Sequence, residues 1–250
     1  MLNITDKFDL FMMNINDYIY LWPMLRFNEN AYRIINSEVR KTMLNFKQFP
    51  NLPDQVPQRG NLLSRLCFQQ LYLAQGWRFQ GEFPNLAKAV AIIAPHTSNY
   101  DGWYGFLAML GLGLKLTIFG KDSLFNSPLK HLFEWIGVIP VKRESAQGLT
   151  QQIVEKIKQQ DKIWIGLAPE GTRKQASSIK SGFYHIAHAA QLPIVLFSFD
   201  YQEKTIRCLG VFTTTGDYEQ DLSAILKIYQ GQFSAKHPYN LSLPLQKLSK

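Results

Sequence analysis

An imidazole and a carboxylate five residues apart, in His96-Thr97-Ser98-Asn99-Tyr100-Asp101, are the residues of this chain best suited to proton transfer. Imidazole takes up and releases a proton near neutral pH. A carboxylate that accepts from Nδ1–H fixes the ring's tautomer and stabilises the imidazolium, as in the base-and-orienter half of a serine-protease triad. The chain has no G-x-S-x-G elbow to supply a nucleophile, so the hydroxyl to be activated would belong to a substrate. A purely structural His/Asp pair has the same spacing, and Thr97, Ser98 and Asn99 are equally candidate caps for a following helix.

A second group is Glu170-Gly171-Thr172-Arg173-Lys174. A carboxylate that accepts from a hydroxyl, a glycine that permits close backbone approach and a guanidinium that takes a phosphate bidentately make a polyol-and-phosphate grip. The alternative is an exposed turn with its own ion pair. Lys121 and the pair Lys142-Arg143 each follow a short apolar run. Cations converging with Arg173 would form an anion site.

These groups must be positioned by secondary structure, and the pattern is α/β. Asn61 to Gly76, Tyr100 to Leu112, Pro128 to Trp135, Gly148 to Gln159, Ser181 to Ala190 and Asp217 to Gln230 read as helices. Strands are expected at Trp77 to Phe83, Val90 to Ala94, Lys115 to Phe119, Val138 to Val141, Lys162 to Leu167, Pro193 to Phe199 and Thr205 to Thr213. Such alternation predicts a mostly parallel central sheet covered by helices on both faces. Ligands then gather outside the carboxyl ends of the strands, where each chemical group stands.

Residues 1–58 read as a helical N-terminal extension and 59–250 as the α/β domain. Phe8 to Leu25 is aromatic and apolar with scattered acids, suiting either a helix at a lipid interface or one packed on the protein's own core. Asn30 to Phe46 has helical composition, and Pro50, Pro53 and Pro57 mark a linker.

Composition narrows the classes of function. The 250 residues carry 27 Lys+Arg against 19 Asp+Glu, a formal charge of +8 that suits an anionic partner. With 46% hydrophobic and 18% charged residues, wholesale disorder is excluded. Cys67 and Cys208 stand alone, which argues against a disulfide framework or zinc site and for a reducing compartment. No apolar run reaches the about 20 residues of a membrane span, and no secretory leader is expected at the N-terminus. Phe119-Gly120-Lys121-Asp122 lacks the glycine and hydroxyl of a nucleotide-phosphate loop. His185 and His188 lie three apart with no obvious third ligand, so no metal is expected.

Taken in order, His96-x4-Asp101, Gly120-Lys121, Ile139-Pro140-Val141-Lys142-Arg143, Glu170-Gly171-Thr172-Arg173 and Leu192-Pro193-Ile194-Val195 resemble the sequence blocks of the glycerolipid acyltransferase family, the 1-acyl-sn-glycerol-3-phosphate acyltransferase type. The resemblance spans roughly residues 90–200. It implies His96 as general base oriented by Asp101, and Lys121, Arg143, Glu170, Gly171, Thr172 and Arg173 as the grip on the acceptor. It also implies that Pro193 shapes the acyl side of the pocket. The chain departs from the family at Leu196, where a second proline is common, and at Pro95, where asparagine is common.

The implied reaction moves a fatty acyl chain from acyl-CoA or acyl carrier protein to the hydroxyl of lysophosphatidic acid, without a cofactor. Backbone N–H groups around residues 97–99 are the expected oxyanion donors. Another lysolipid acceptor, such as a lyso-ornithine lipid, and a non-catalytic anionic-lipid-binding role are the alternatives. Charge and substrate together lead to an expectation of peripheral binding at the cytoplasmic face of a membrane, a bacterial inner membrane in particular, and none of nucleic-acid binding.

Overall fold

The helices start where their caps stand. In the computed structural model, which describes residues 49–121, 125, 130–141 and 146–250, α1 (Leu62–Ala74) is opened by a capping box. Asn61 Oδ1 accepts from Ser64 N at 2.9 Å and Ser64 Oγ accepts from Asn61 N at 3.1 Å. α2 (Asn99–Leu112) opens on Ser98 and stops at Gly113, whose φ of +72° closes the last turn in the left-handed region.

The remaining elements follow the expected alternation. They are β1 (Arg78–Gln80), β2 (Lys88–Ala94), β3 (Leu116–Lys121), α3 (Lys130–Ile136), β4 (Val138–Val141), α4 (Ala146–Lys158), β5 (Ile163–Leu167), α5 (Gly182–Ala189), β6 (Ile194–Asp200), β7 (Thr205–Phe212) and α6 (Tyr218–Tyr229). A 3₁₀ turn (Pro238–Asn240) and α7 (Leu243–Gln246) were not anticipated. The segments 8–25 and 30–46 lie outside the described residues, as do Lys142 and Arg143.

One seven-stranded sheet runs β1-β7-β6-β2-β5-β3-β4. Every pair is parallel except β6 with β7. The α/β class read from the sequence is therefore the fold. Pro140 is tolerated in β4 because that strand forms an edge.

Alternation along the strands divides the core in two. Val90, Ile92 and Ala94 of β2 share one layer with Ile165, Leu196, Ile153 and Ile157 of α4, Phe183 of α5 and Tyr229 of α6. Ala89 and Ala91 turn to the other layer, with Trp164, Phe197, Tyr72 of α1 and Leu107 of α2. Phe49 and Val56 are buried in this second layer. After β2 the chain therefore enters a helix on one face, and after β5 it enters a helix on the other. That divergence opens a crevice between the ends of these adjacent parallel strands, the usual ligand position of such sheets.

Beyond β6, the C-terminal segment is clamped to the sheet through Asp200, which is fully buried. It accepts from Ser234 Oγ at 2.6 Å, Lys250 Nζ at 2.7 Å, Arg207 Nη1 at 2.8 Å and Glu203 N at 3.2 Å. Burial alone would raise its pKa; the Lys250, Ser234 and Arg207 donors outweigh burial and hold it below the ordinary aspartate range. A depressed carboxyl adds stability above its unfolded pKa and loses it as the solution is acidified. Asp200→Asn should therefore cost stability in the lower part of the ~3–5 kcal/mol range for breaking a buried ion pair. In urea titrations the gap from wild type should be full at pH 7 and narrow below about pH 4.

Candidate active site

The site loop leaves β2 through Pro95, and its partner loop leaves β5. Ile92 pairs with Leu167, so three further residues on each strand set Pro95 opposite Glu170. Glu170 indeed accepts a short hydrogen bond from the backbone N–H of His96. On the other side Ala94 pairs with Ser198, and three more residues bring Tyr201 beside Thr97. Parallel register thus delivers three loops to one place.

His96 presents Nδ1 to Asp101 Oδ2 at 3.4 Å, with the imidazole 25% exposed and the carboxylate only 1%. Asp101 is also the third residue of α2 and completes its capping box with Ser98. Its Oδ2 accepts from Thr97 N at 2.6 Å and Ser98 N at 2.8 Å, and its Oδ1 from Tyr201 Oη at 2.5 Å. One carboxylate therefore caps the helix, shapes the loop and faces the imidazole. Two of the expected oxyanion donors, the Thr97 and Ser98 amides, are thus already taken by Asp101.

The Glu170 loop is placed differently from its sequence reading. Glu170 is 1% exposed, so no surface remains for a substrate hydroxyl; it braces the backbone of His96 instead. Burial raises its pKa to about 7, and the N–H groups of His96 and Ser242 offset this only in part. Its Oε1 lies buried without a hydrogen bond. Gly171 takes φ +67° in the turn that follows, where its N–H donates to Ala168 O at 3.1 Å. Thr172 Oγ1 accepts from Lys174 N at 3.2 Å. Arg173 is exposed and donates from Nη1 to Asn99 Oδ1, which sets the guanidinium at the N-terminus of α2.

Three predicted residues are not joined to this group by described contacts. Lys121 ends β3, in register with Val141, while Arg143 lies outside the described residues. Pro193 precedes β6, with its carbonyl accepting from Val90 N at 3.0 Å. It sits level with Val90, at the opposite end of the strands from His96, roughly 20 Å away along six residues of β2 and its exit. Leu196, the other position compared with the family, is fully buried inside β6. His185 and His188 lie against the rings of Tyr218 and Tyr184.

The C-terminal segment completes the rim. Asn240 Nδ2 donates to Thr97 O at 3.1 Å and His237 N to Thr97 Oγ1 at 3.4 Å. Lys236 Nζ stands 5.3 Å from the Tyr100 ring centroid and 5.9 Å from that of Tyr201. Sequence reasoning missed Tyr201, Lys236 and Asn240. The strand-end rule that singled out His96 and Glu170 also points to Tyr201, which follows the last residue of β6. Nothing local marks Lys236 or Asn240.

A carboxyl raised by burial binds a proton in the folded state at pH values where the unfolded chain has lost it, so folded stability falls as pH rises from about 4.5 to about 7. Glu170→Gln removes that titration. Its melting temperature relative to wild type should rise across this window, and calorimetry from pH 4 to pH 8 checks it.

Residues 77–199 match the family model described as Acyltransferase, a span that contains both the His96-to-Asp101 loop and the Glu170-to-Arg173 loop. Among solved structures, the 1-acyl-sn-glycerophosphate (LPA) acyltransferase PlsC of Thermotoga maritima is similar at 13% identity, over 66% of this chain and 74% of that one, with a TM-score of 0.47. No curated protein matches the chain. Residues 77–199, just under half of the chain, are thus similar to the acyltransferase family.

Proposed function

We propose that the chain transfers a fatty acyl group from a thioester of coenzyme A or acyl carrier protein to the free hydroxyl of lysophosphatidic acid. The observation that carries this reading is the His96–Asp101 pair, held in a strand-end crevice with Arg173 docked at the adjoining helix N-terminus. With Nδ1 turned to Asp101, Nε2 is the nitrogen that takes the acceptor's proton. The hydroxyl oxygen attacks the thioester carbonyl carbon, the C–S bond breaks, and the leaving sulfur takes the proton back from the imidazolium. The 3.4 Å separation is long for a hydrogen bond and is expected to tighten around bound substrate.

Arg173, beside the positive end of α2, supports the phosphate grip, with Lys121 and Arg143 joining it as the family resemblance implies. An apolar cleft of about 160 Å³, lined by Phe119, Val141, Leu149, Ile153, Phe183 and Ile186, borders Pro169 next to the Glu170 loop. It offers a place for part of the acyl chain.

The rim suits an anionic lipid surface at the cytoplasmic face of a membrane. Tyr100 is 54% exposed, Trp103 49% and Tyr239 71%; Lys236 stands over the Tyr100 ring, and Arg173 reaches Asn99 next to it in the chain. Aromatic side chains favour the membrane–water interface, and each basic residue near an anionic leaflet contributes about 1 kcal/mol. No helix among the described residues is long and apolar enough to cross a membrane, and peripheral contact needs none.

His96→Ala should lower acyl transfer by about 10²–10⁴-fold with the melting temperature preserved. Release of free thiol, with lysophosphatidic acid present or absent, measures it. Undiminished turnover in that variant would remove the mechanism, and acceptor-independent binding without thiol release would instead favour a lipid-binding role. A mass-spectrometric screen with one labelled acyl thioester distinguishes lysophosphatidic acid from other lysolipids. Arg173→Ala should raise the KM for a phosphorylated acceptor more than it lowers kcat. Replacing Tyr100 and Trp103 together by alanine should reduce sedimentation with phosphatidylglycerol vesicles several-fold.

A further inference from the structure

We infer that Tyr201 is a positioning residue for the transfer proposed above: its hydroxyl pins one oxygen of Asp101 so that the other stays turned to the His96 ring. The inference rests on that reading for its kinetic consequence and on geometry alone for the positioning. Tyr201 lies just beyond β6, outside the 77–199 span of the family match.

The load on Asp101 is uneven. Oδ2 faces two backbone N–H groups, at 2.6 and 2.8 Å, and the imidazole at 3.4 Å. Oδ1 receives the Tyr201 hydroxyl at 2.5 Å. A carboxylate rotates readily about its Cβ–Cγ bond. The backbone donors alone would let its plane swing about Oδ2, and the imidazole, at the longest distance, would lose contact first. The donor on Oδ1 fixes that plane.

Tyr201 is itself fixed. Its ring meets Trp77 edge-on at 5.0 Å and 89°, and packs near Tyr104 and Phe199, both at 6.2 Å. Its backbone N–H donates to Ser234 O at 3.1 Å, which ties it to the C-terminal segment. Burial, together with the Asp101 carboxylate, pushes the phenol pKa up, so the group remains a donor across any assay pH.

Tyr201→Phe keeps the ring and removes only the hydroxyl. With palmitoyl-coenzyme A and lysophosphatidic acid as probes, kcat should fall roughly tenfold, as for loss of one hydrogen bond to a charged group, with KM within about twofold. In an Asp101→Ala background the same substitution should change kcat by less than about twofold, because its effect passes through Asp101. In the free protein, the ¹⁵N resonances of the His96 ring, assigned by their loss in His96→Gln, should shift in Tyr201→Phe. Unshifted resonances, unchanged kcat, or an equal loss in both backgrounds would overturn the inference. Absence of turnover by the wild-type protein would count against the proposed substrates instead, and the ring resonances would still decide the positioning.

Discussion

The carboxylate of Asp101 is the point on which the site is built. It is almost wholly buried, and a buried carboxylate is tolerable only when donors surround it. Two donors come from its own loop and a third from the tyrosine beyond β6, while the His96 ring faces the same oxygen as the loop amides. Because Asp101 also occupies the third position of α2, the helix and the imidazole are set by one group. Loop shape, helix start and imidazole orientation are consequently coupled, and the Thr97 and Ser98 amides are spent in achieving it.

That arrangement depends on the sheet. β2 lies between β5 and β6, both parallel to it, so the loops carrying His96, Glu170 and Tyr201 emerge on the same edge. The helices after β2 and β5 belong to opposite layers, which keeps the edge open. Glu170 then acts as a strut between two strand ends. The C-terminal segment, clamped by Asp200, closes the third side through Asn240 and Lys236.

The His96–Asp101 pair and the cationic loop were legible because their chemistry is written in short spans. His96 and Asp101 are separated by one helix start, and Glu170 to Arg173 by one turn. Their roles were less legible. Glu170 read as a substrate ligand because a carboxylate grouped with a glycine, a hydroxyl and a guanidinium can accept from a substrate hydroxyl, yet the register between β2 and β5 buries it against the backbone of His96. Pro193 read as part of the pocket because it belongs to a block of the resembling family. Being the residue before β6, however, it must stand at the entering end of a strand parallel to β2, away from the exit of His96.

By itself the sequence determined the α/β alternation, the helix starts at Asn61 and Asp217, and the residue types available for proton transfer and anion binding, since caps, periodicity and side-chain chemistry act over a few neighbouring positions. The tertiary structure decided which of those residues meet: that Tyr201 reaches Asp101 across 100 positions of chain, that Arg173 reaches Asn99 across 74, and that Asn240 reaches Thr97 across 143. Such meetings follow from strand order and register. Those are fixed by the packing of two apolar layers against one sheet, and no local stretch of sequence records them.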